Sequence, residues 1–233
     1  MFSKMNVLAL LAFAMIGSAQ AADGLPTTWD GLVEVKPKRM EAAYLLPGAD
    51  FRSYTKVMID PSEIAFSQDW LRNMNSQNTS LNGYITKADA QKILAQASQS
   101  FDQVFAETMS KNGYTVVTTP GADVLRLEPA VINLYINAPQ INGPQMGQTY
   151  VVNAGEGTLV IDAHDSETNT LLGRVIDARE TRESGGMQFS SQVGNLNDFK
   201  ALVNTWATIC SKGLDELKAQ SPVPMDLKPK QKM

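Results

Sequence analysis

The chain has 233 residues, 43% hydrophobic and 19% charged, with 20 basic against 24 acidic side chains and a net charge of −4. Such a mildly acidic chain has no electrostatic reason to hold nucleic acid, and one cysteine with one histidine excludes an internal disulfide and the usual zinc ligand sets. The length suits a single domain that buries a core of its own.

The first stretch, "MFSKMNVLALLAFAMIGSAQAAD", has the three parts of a secretory signal peptide. Lys4 opens it, an apolar run follows from Val7 to Gly17, and Ala19-Gln20-Ala21 supplies small residues for cleavage. Residues 1–21 therefore read as a signal peptide. The apolar run is shorter than the roughly 20 residues of a spanning helix, and no later segment is apolar enough to replace it. No cysteine stands at the cleavage point to carry a lipid. The expected product is periplasmic or secreted, soluble after cleavage, without a transmembrane segment and not lipidated.

Residues 22–40 read as a leader with one short extended piece, "WDGLVEVKPK", closed by Pro37. Residues 41–219 read as a single α+β domain. Strands are expected over Ala42–Leu46, stopped by Pro47-Gly48, and over Lys56–Asp60, bounded by Pro61. Trp70 and Leu71 anchor the polar stretch that follows. A long helix begins after Thr86, whose hydroxyl caps the first amides with Asp89 three residues on. Ala90, Ile93, Leu94, Ala97, Phe101, Val104, Phe105 and Met109 recur at helical spacing, and Gly113 ends the run.

After "YTVVT", three strands follow in "VLRLEPAVINLYI", "TYVVNAGEGTLVIDAH" and "TLLGRVIDARET", which read as an antiparallel meander. In the second, Leu159, Ile161 and Ala163 alternate with Val160, Asp162 and His164. In the third, the same alternation sets Leu172, Arg174, Ile176 and Ala178 against Leu171, Val175, Asp177 and Arg179. A second helix, capped by Asn197, carries an apolar stripe through Phe199, Leu202, Val203, Trp206, Ile209, Cys210 and Leu217. Residues 220–233 are Pro- and Lys-rich and read as an extended, solvated tail. Together these predict a two-layer α+β sandwich, with a mixed, mostly antiparallel sheet and two main helices packed on one face.

From Pro129 to Gly155 no side chain is charged. Half-buried strands explain the two ends of that stretch. They do not explain Ala138–Gln148, where Pro139, Gly143, Pro144 and Gly147 forbid regular pairing. In a meander this connector shares one end of the sheet with the Glu183–Asn195 loop. The two would present Gln140, Asn142, Gln145, Met146 and Gln148 beside Met187, Gln188, Phe189 and Gln192. Amides give adaptable hydrogen bonding and Met and Phe give apolar anchors, so these nine residues are the candidate partner-binding rim.

Catalytic patterns are weak. His164 has no serine elbow to serve and reads as a strand-end residue. Asp165, Glu167 and Asn169 alternate as in a calcium loop, but Thr170 and Ile176 stand where that loop needs Gly and Glu. Asp162 and Asp177 can face each other across the hairpin, although pairing with Arg174 and Arg179 accounts for them without catalysis. Cys210 reads as a small core residue on its helix stripe. No cofactor is expected.

"WDGLVEVK", "YLLPGADFRSYTKVMIDPSEIAF", "GYTVVTTPGADVLRLEPAVINLYINAP", "AGEGTLVIDAHDSETNTLLGRVIDARE" and the Trp206 helix together resemble a bacterial family catalogued only as a domain of unknown function. The resemblance spans nearly all of the chain after residue 21. It implies an envelope location and membership among secreted proteins and lipoproteins of this size, and it carries no activity, cofactor or catalytic residue. The same order of elements is similar to periplasmic α+β modules that assist outer-membrane assemblies. The leading expectation is a non-enzymatic periplasmic protein that binds an envelope protein or other envelope component through the two connectors. The alternatives are an envelope-directed hydrolase using the hairpin carboxylates, or a carrier of a small apolar ligand between sheet and helices.

Overall fold

The computed structural model describes residues 25–76, 84–136, 150–151, 155–180, 188–189 and 192–233; the expected signal peptide, residues 1–21, lies outside them. The strands are β1 (Thr28–Trp29), β2 (Leu32–Lys36), β3 (Ala42–Leu45), β4 (Lys56–Ile59), β5 (Glu63–Phe66), β6 (Thr115–Val117), β7 (Val124–Ile136), β8 (Tyr150–Val151), β9 (Gly155–Asp165), β10 (Leu171–Glu180), β11 (Gln188–Phe189) and β12 (Gln231–Lys232). The helices are α1 (Trp70–Ser76), α2 (Lys87–Lys111) and α3 (Gln192–Gln220). Ten strands form one open sheet in the order β1-β2-β3-β10-β9-β7-β4-β6, with β12 beside β2 and β5 beside β7. Pairs along β7, β9, β10, β3, β2 and β1 are antiparallel; β4, β5, β6 and β12 join in parallel. The architecture is the α+β sandwich that the alternation of elements predicts.

Each long helix forms for a local reason. Thr86 accepts a hydrogen bond from the Asp89 amide while the Asp89 carboxylate accepts from the Thr86 amide, a complete capping box. At the other end Gly113 takes φ 96°, a conformation that side chains resist. Phe101, Phe105 and Met109 of α2 and Phe199, Val203 and Trp206 of α3 are all within 5% of full burial. They meet Val57, Leu125, Leu159 and Ile161 of the sheet in one core. Thr108 donates to the Asn204 side chain at 2.9 Å, and Asn112 to Ser211 at 2.9 Å, which fixes one helix against the other.

Four boundaries differ from the sequence reading. The leader is not separate, because β1 and β2 extend the sheet and Leu32 and Val35 are buried. The tail is not solvated either. Val223 and Leu227 enter the main core, and β12 pairs with β2. The helix α3 begins at Gln192, so Asn197 lies within it rather than capping it. Finally, the polar stretch around Trp70 forms the short helix α1. There Trp70 stacks on Phe66 with ring centroids 3.7 Å apart and donates to the Ile136 carbonyl at 2.8 Å.

The alternation in β10 also breaks. A β-bulge between Leu171 and Gly173 adds one residue to the strand, and every later side chain changes face. Leu172 stays in the helix-side core, but Arg174 and Ile176 point to the opposite face, and Asp177 points toward the helices. A second bulge, at Asn133 with φ 53°, separates Ile132 from Tyr135 in β7. The outward face carries its own small cluster, in which Leu32, Ala42, Tyr44 and Ile176 pack with Trp29.

Candidate functional site

Of the nine expected rim residues, Gln140, Asn142, Gln145, Met146, Gln148 and Met187 lie outside the described residues. Gln188 and Phe189 form β11, and Gln192 opens α3. The strand β11 pairs antiparallel with β8, setting Gln188 opposite Val151 and Phe189 opposite Tyr150. A two-stranded ribbon thus joins the segment that follows the first connector to the middle of the second.

A cavity of about 150 Å³ lies between the sheet and α3. Leu127, Ile161, Ala163 and Gly173 form its sheet side, and Cys210, Gly213, Leu214 and Leu217 form its helix side. The gap has a simple cause, since small residues face it from both layers. A Cβ built on Gly213 would meet nothing within 4 Å. On the sheet, Gly173 has no such freedom, because a Cβ there would stand 3.1 Å from the Tyr44 carbonyl oxygen. Sequence periodicity marks the stripe of α3 but not this gap. The signal that bears on it is the interruption of that stripe at Gly213.

Lys38, Arg39 and Glu216 line the solvent end of the cavity. Arg39 donates through Nη1 to Glu216 Oε1 at 2.7 Å, and Lys38 Nζ stands 3.2 Å from Glu216 Oε2. Two cations share one carboxylate there, and they hold the Glu216 carboxyl below the usual carboxylate range through those hydrogen bonds.

Cys210 packs against the core, as its stripe position suggests, and also forms part of the cavity wall. Burial pushes its thiol up to about 12, and the negative charge of Asp177 adds to the effect. The thiolate is the reactive form, so at pH 8 the folded chain should react with iodoacetamide at least a hundredfold more slowly than the urea-unfolded chain. Mass spectrometry of timed samples checks this, and equal rates would contradict the raised pKa of this half-buried thiol.

The carboxylates of the hairpin do not converge. Register sets Asp162 opposite Arg174 and Asp177 opposite Leu159, so the bulge separates the two acids onto different faces. Arg174 grips Asp162 in a two-point pair at 2.6 and 2.7 Å, reaches Asp30 at 2.9 Å and lies 4.3 Å from the centre of the Trp29 ring. Asp177, 4% exposed, accepts from Trp206 Nε1 at 2.9 Å, from the Glu41 amide at 3.2 Å and from Arg179.

His164 sits on the outward face, 3.2 Å through Nδ1 from the Asn169 carbonyl and 3.7 Å through Nε2 from Glu128. Asp165 closes the turn, accepting from the amides of Glu167 and Thr168 and from the Tyr54 hydroxyl. These bonds hold its carboxyl below the usual range. Among the described residues no group of His, Cys, Asp or Glu is arranged to hold a metal, and no helix is long and apolar enough to cross a membrane.

No curated protein matches the chain. Among solved structures it is similar to the PelC dodecamer from Paraburkholderia phytofirmans, at 12% identity over 76% of this chain and 96% of that one, with a TM-score of 0.35. It is also similar to a Xanthomonas campestris protein of the DUF330 family model, at 12% identity over 80% and 92% with a TM-score of 0.35. A DUF4136 family protein from Bacteroides thetaiotaomicron shares 12% over 83% and 97%, with a TM-score of 0.29. Scores this low record a partial likeness of chain path and nothing about activity. The family model described as a protein of unknown function, DUF3313, matches residues 21–209, so the chain belongs to that family.

Proposed function

We propose that the chain is a non-enzymatic periplasmic protein that binds another cell-envelope component through the Ala138–Gln148 and Glu183–Asn195 connectors. The observation that carries the reading is the β8–β11 ribbon, which ties the flank of the first connector to the second. Two amide-rich segments with only Glu183 charged between them offer many hydrogen-bonding groups with little charge to desolvate. The hairpin acids speak for binding over hydrolysis, because Asp162 and Asp177 already serve ion pairs and hydrogen bonds that hold strand to strand and sheet to helix. The N-terminal "MFSKMNVLALLAFAMIGSAQA" supports export.

The test places a photo-crosslinking residue at Gln145 or Gln188 in living cells, and at Lys92, on α2, as a control. One discrete adduct from both connector positions, absent at Lys92 and lost on Met187→Ser with Phe189→Ser, is expected. Adducts of equal strength at Lys92, or none from the connectors, would overturn the reading.

A further inference from the structure

We infer that the cavity between the sheet and α3 is a binding site for one medium-chain carboxylate, its hydrocarbon tail inside and its headgroup at Lys38 and Arg39. The inference is independent of the connectors, since the cavity is lined from β2, the link between β2 and β3, β3, β7, β9, β10, α2 and α3 and by none of the connector residues.

Three observations fix the class of ligand. The inner wall offers Leu127, Ile161, Leu214 and Leu217 and almost no polar group, so water gains little by entering. A dry apolar cavity of about this size is known to take up benzene, which sets the buried part of a ligand at roughly six to eight carbons. The solvent end is not apolar. Lys38 and Arg39 are 46% and 44% exposed in their side chains and share the single carboxylate of Glu216. Their charge is therefore half unmatched. Among the described residues, the side chain of Arg39 makes one hydrogen bond, leaving most of its five N–H donors for a second carboxylate. A neutral ligand would leave that charge unused, and a cationic one would be repelled by it. A chain of about eight carbons ending in a carboxylate satisfies both ends at once.

Gly213 provides the means to close the site without harming the fold. Its missing side chain leaves open space in the cavity wall, and it stands inside α3, where glycine weakens the helix. Gly213→Leu fills the cavity and strengthens the helix together. It should raise the melting temperature while abolishing binding.

The experiment is isothermal titration of the protein, refolded from urea to strip any co-purified ligand, with the straight-chain carboxylates from hexanoate to dodecanoate. Affinity is expected to rise about fourfold per added methylene until the tail fills the cavity near eight to ten carbons, and then to level off. Octanol should bind at least tenfold more weakly than octanoate, and octyltrimethylammonium more weakly still. Lys38→Gln with Arg39→Gln should erase the preference for octanoate over octanol and leave octanol binding as it was. Gly213→Leu, folded by its melting curve, should bind none of them. The inference falls if no carboxylate binds the unaltered protein, if octanol matches octanoate, if affinity climbs without levelling, or if Gly213→Leu binds as before.

Discussion

Asp177→Ala should lower the folding free energy by about 3 kcal/mol, the low end of the range for breaking a buried ion pair. Asp177 is 4% exposed and serves three donors from three elements: the Trp206 indole on α3, the Arg179 guanidinium on its own strand, and the Glu41 amide before β3. Removing it strands the buried Trp206 indole N–H and takes from Arg179 its only carboxylate partner among the described residues. Arg179 is 33% exposed and regains part of its hydration, which is why the low end applies. Trp206→Phe tests the same node from the other side. It keeps most of the buried ring but removes one hydrogen bond, at a cost of about 1–3 kcal/mol. Urea titrations of both single variants and the double variant separate the terms. Additive losses would show that carboxylate and indole do not act together, and a loss below about 1 kcal/mol for Asp177→Ala would contradict the burial itself.

That node shows where sequence reasoning stops. The alternation in β9 is a direct reading of a two-residue period, and its Leu159, Ile161 and Ala163 face the helices as expected. In β10 the same reading fails after one residue, because a bulge has no signature in "TLLGRVIDARE" beyond a glycine. The failure inverts the assignment of Arg174 and Asp177, and with it the idea that Asp162 and Asp177 form a pair. Helix stripes were legible for the same reason that β9 was. Phe101, Phe105, Phe199, Val203 and Trp206 recur at 3.6 residues, and no insertion interrupts them.

Edge strands were not legible. Two residues of "TTWDG" or "KQKM" carry no period, and their place in the sheet comes from the β2 neighbour supplied by the fold. The cavity follows the same logic, being a property of two facing layers rather than of either sequence. The connectors were legible only as composition, which says nothing of what meets them: in the second, Gln188 and Phe189 pair with β8 and Gln192 opens α3 where the composition reads as a loop.

Deleting residues 221–233 should cost about 3–6 kcal/mol. Val223 and Leu227 are 2% and 7% exposed and belong to the main core, and burying each is worth about 1.5–3 kcal/mol. The backbone adds to this. Val223 donates to the Ala49 carbonyl at 2.8 Å and accepts from the Gly48 amide at 3.0 Å, while the Ser221 hydroxyl accepts from the Phe51 amide at 3.0 Å. A domain has only about 5–15 kcal/mol in total, so the shortened chain should melt roughly 10–20 °C lower. Deleting residues 228–233 alone removes β12 but keeps both core side chains, and should cost about 1 kcal/mol. The contrast separates the burial of Val223 and Leu227 from the loss of β12 together with Met233, which only partly buries against the core. Val223→Ala with Leu227→Ala in the full chain should recover most of the larger loss, which excludes an effect of chain length. A shortened protein that melts with the full chain would mean that the segment is solvated and that Val223 and Leu227 do not hold β2 and β3 to the core.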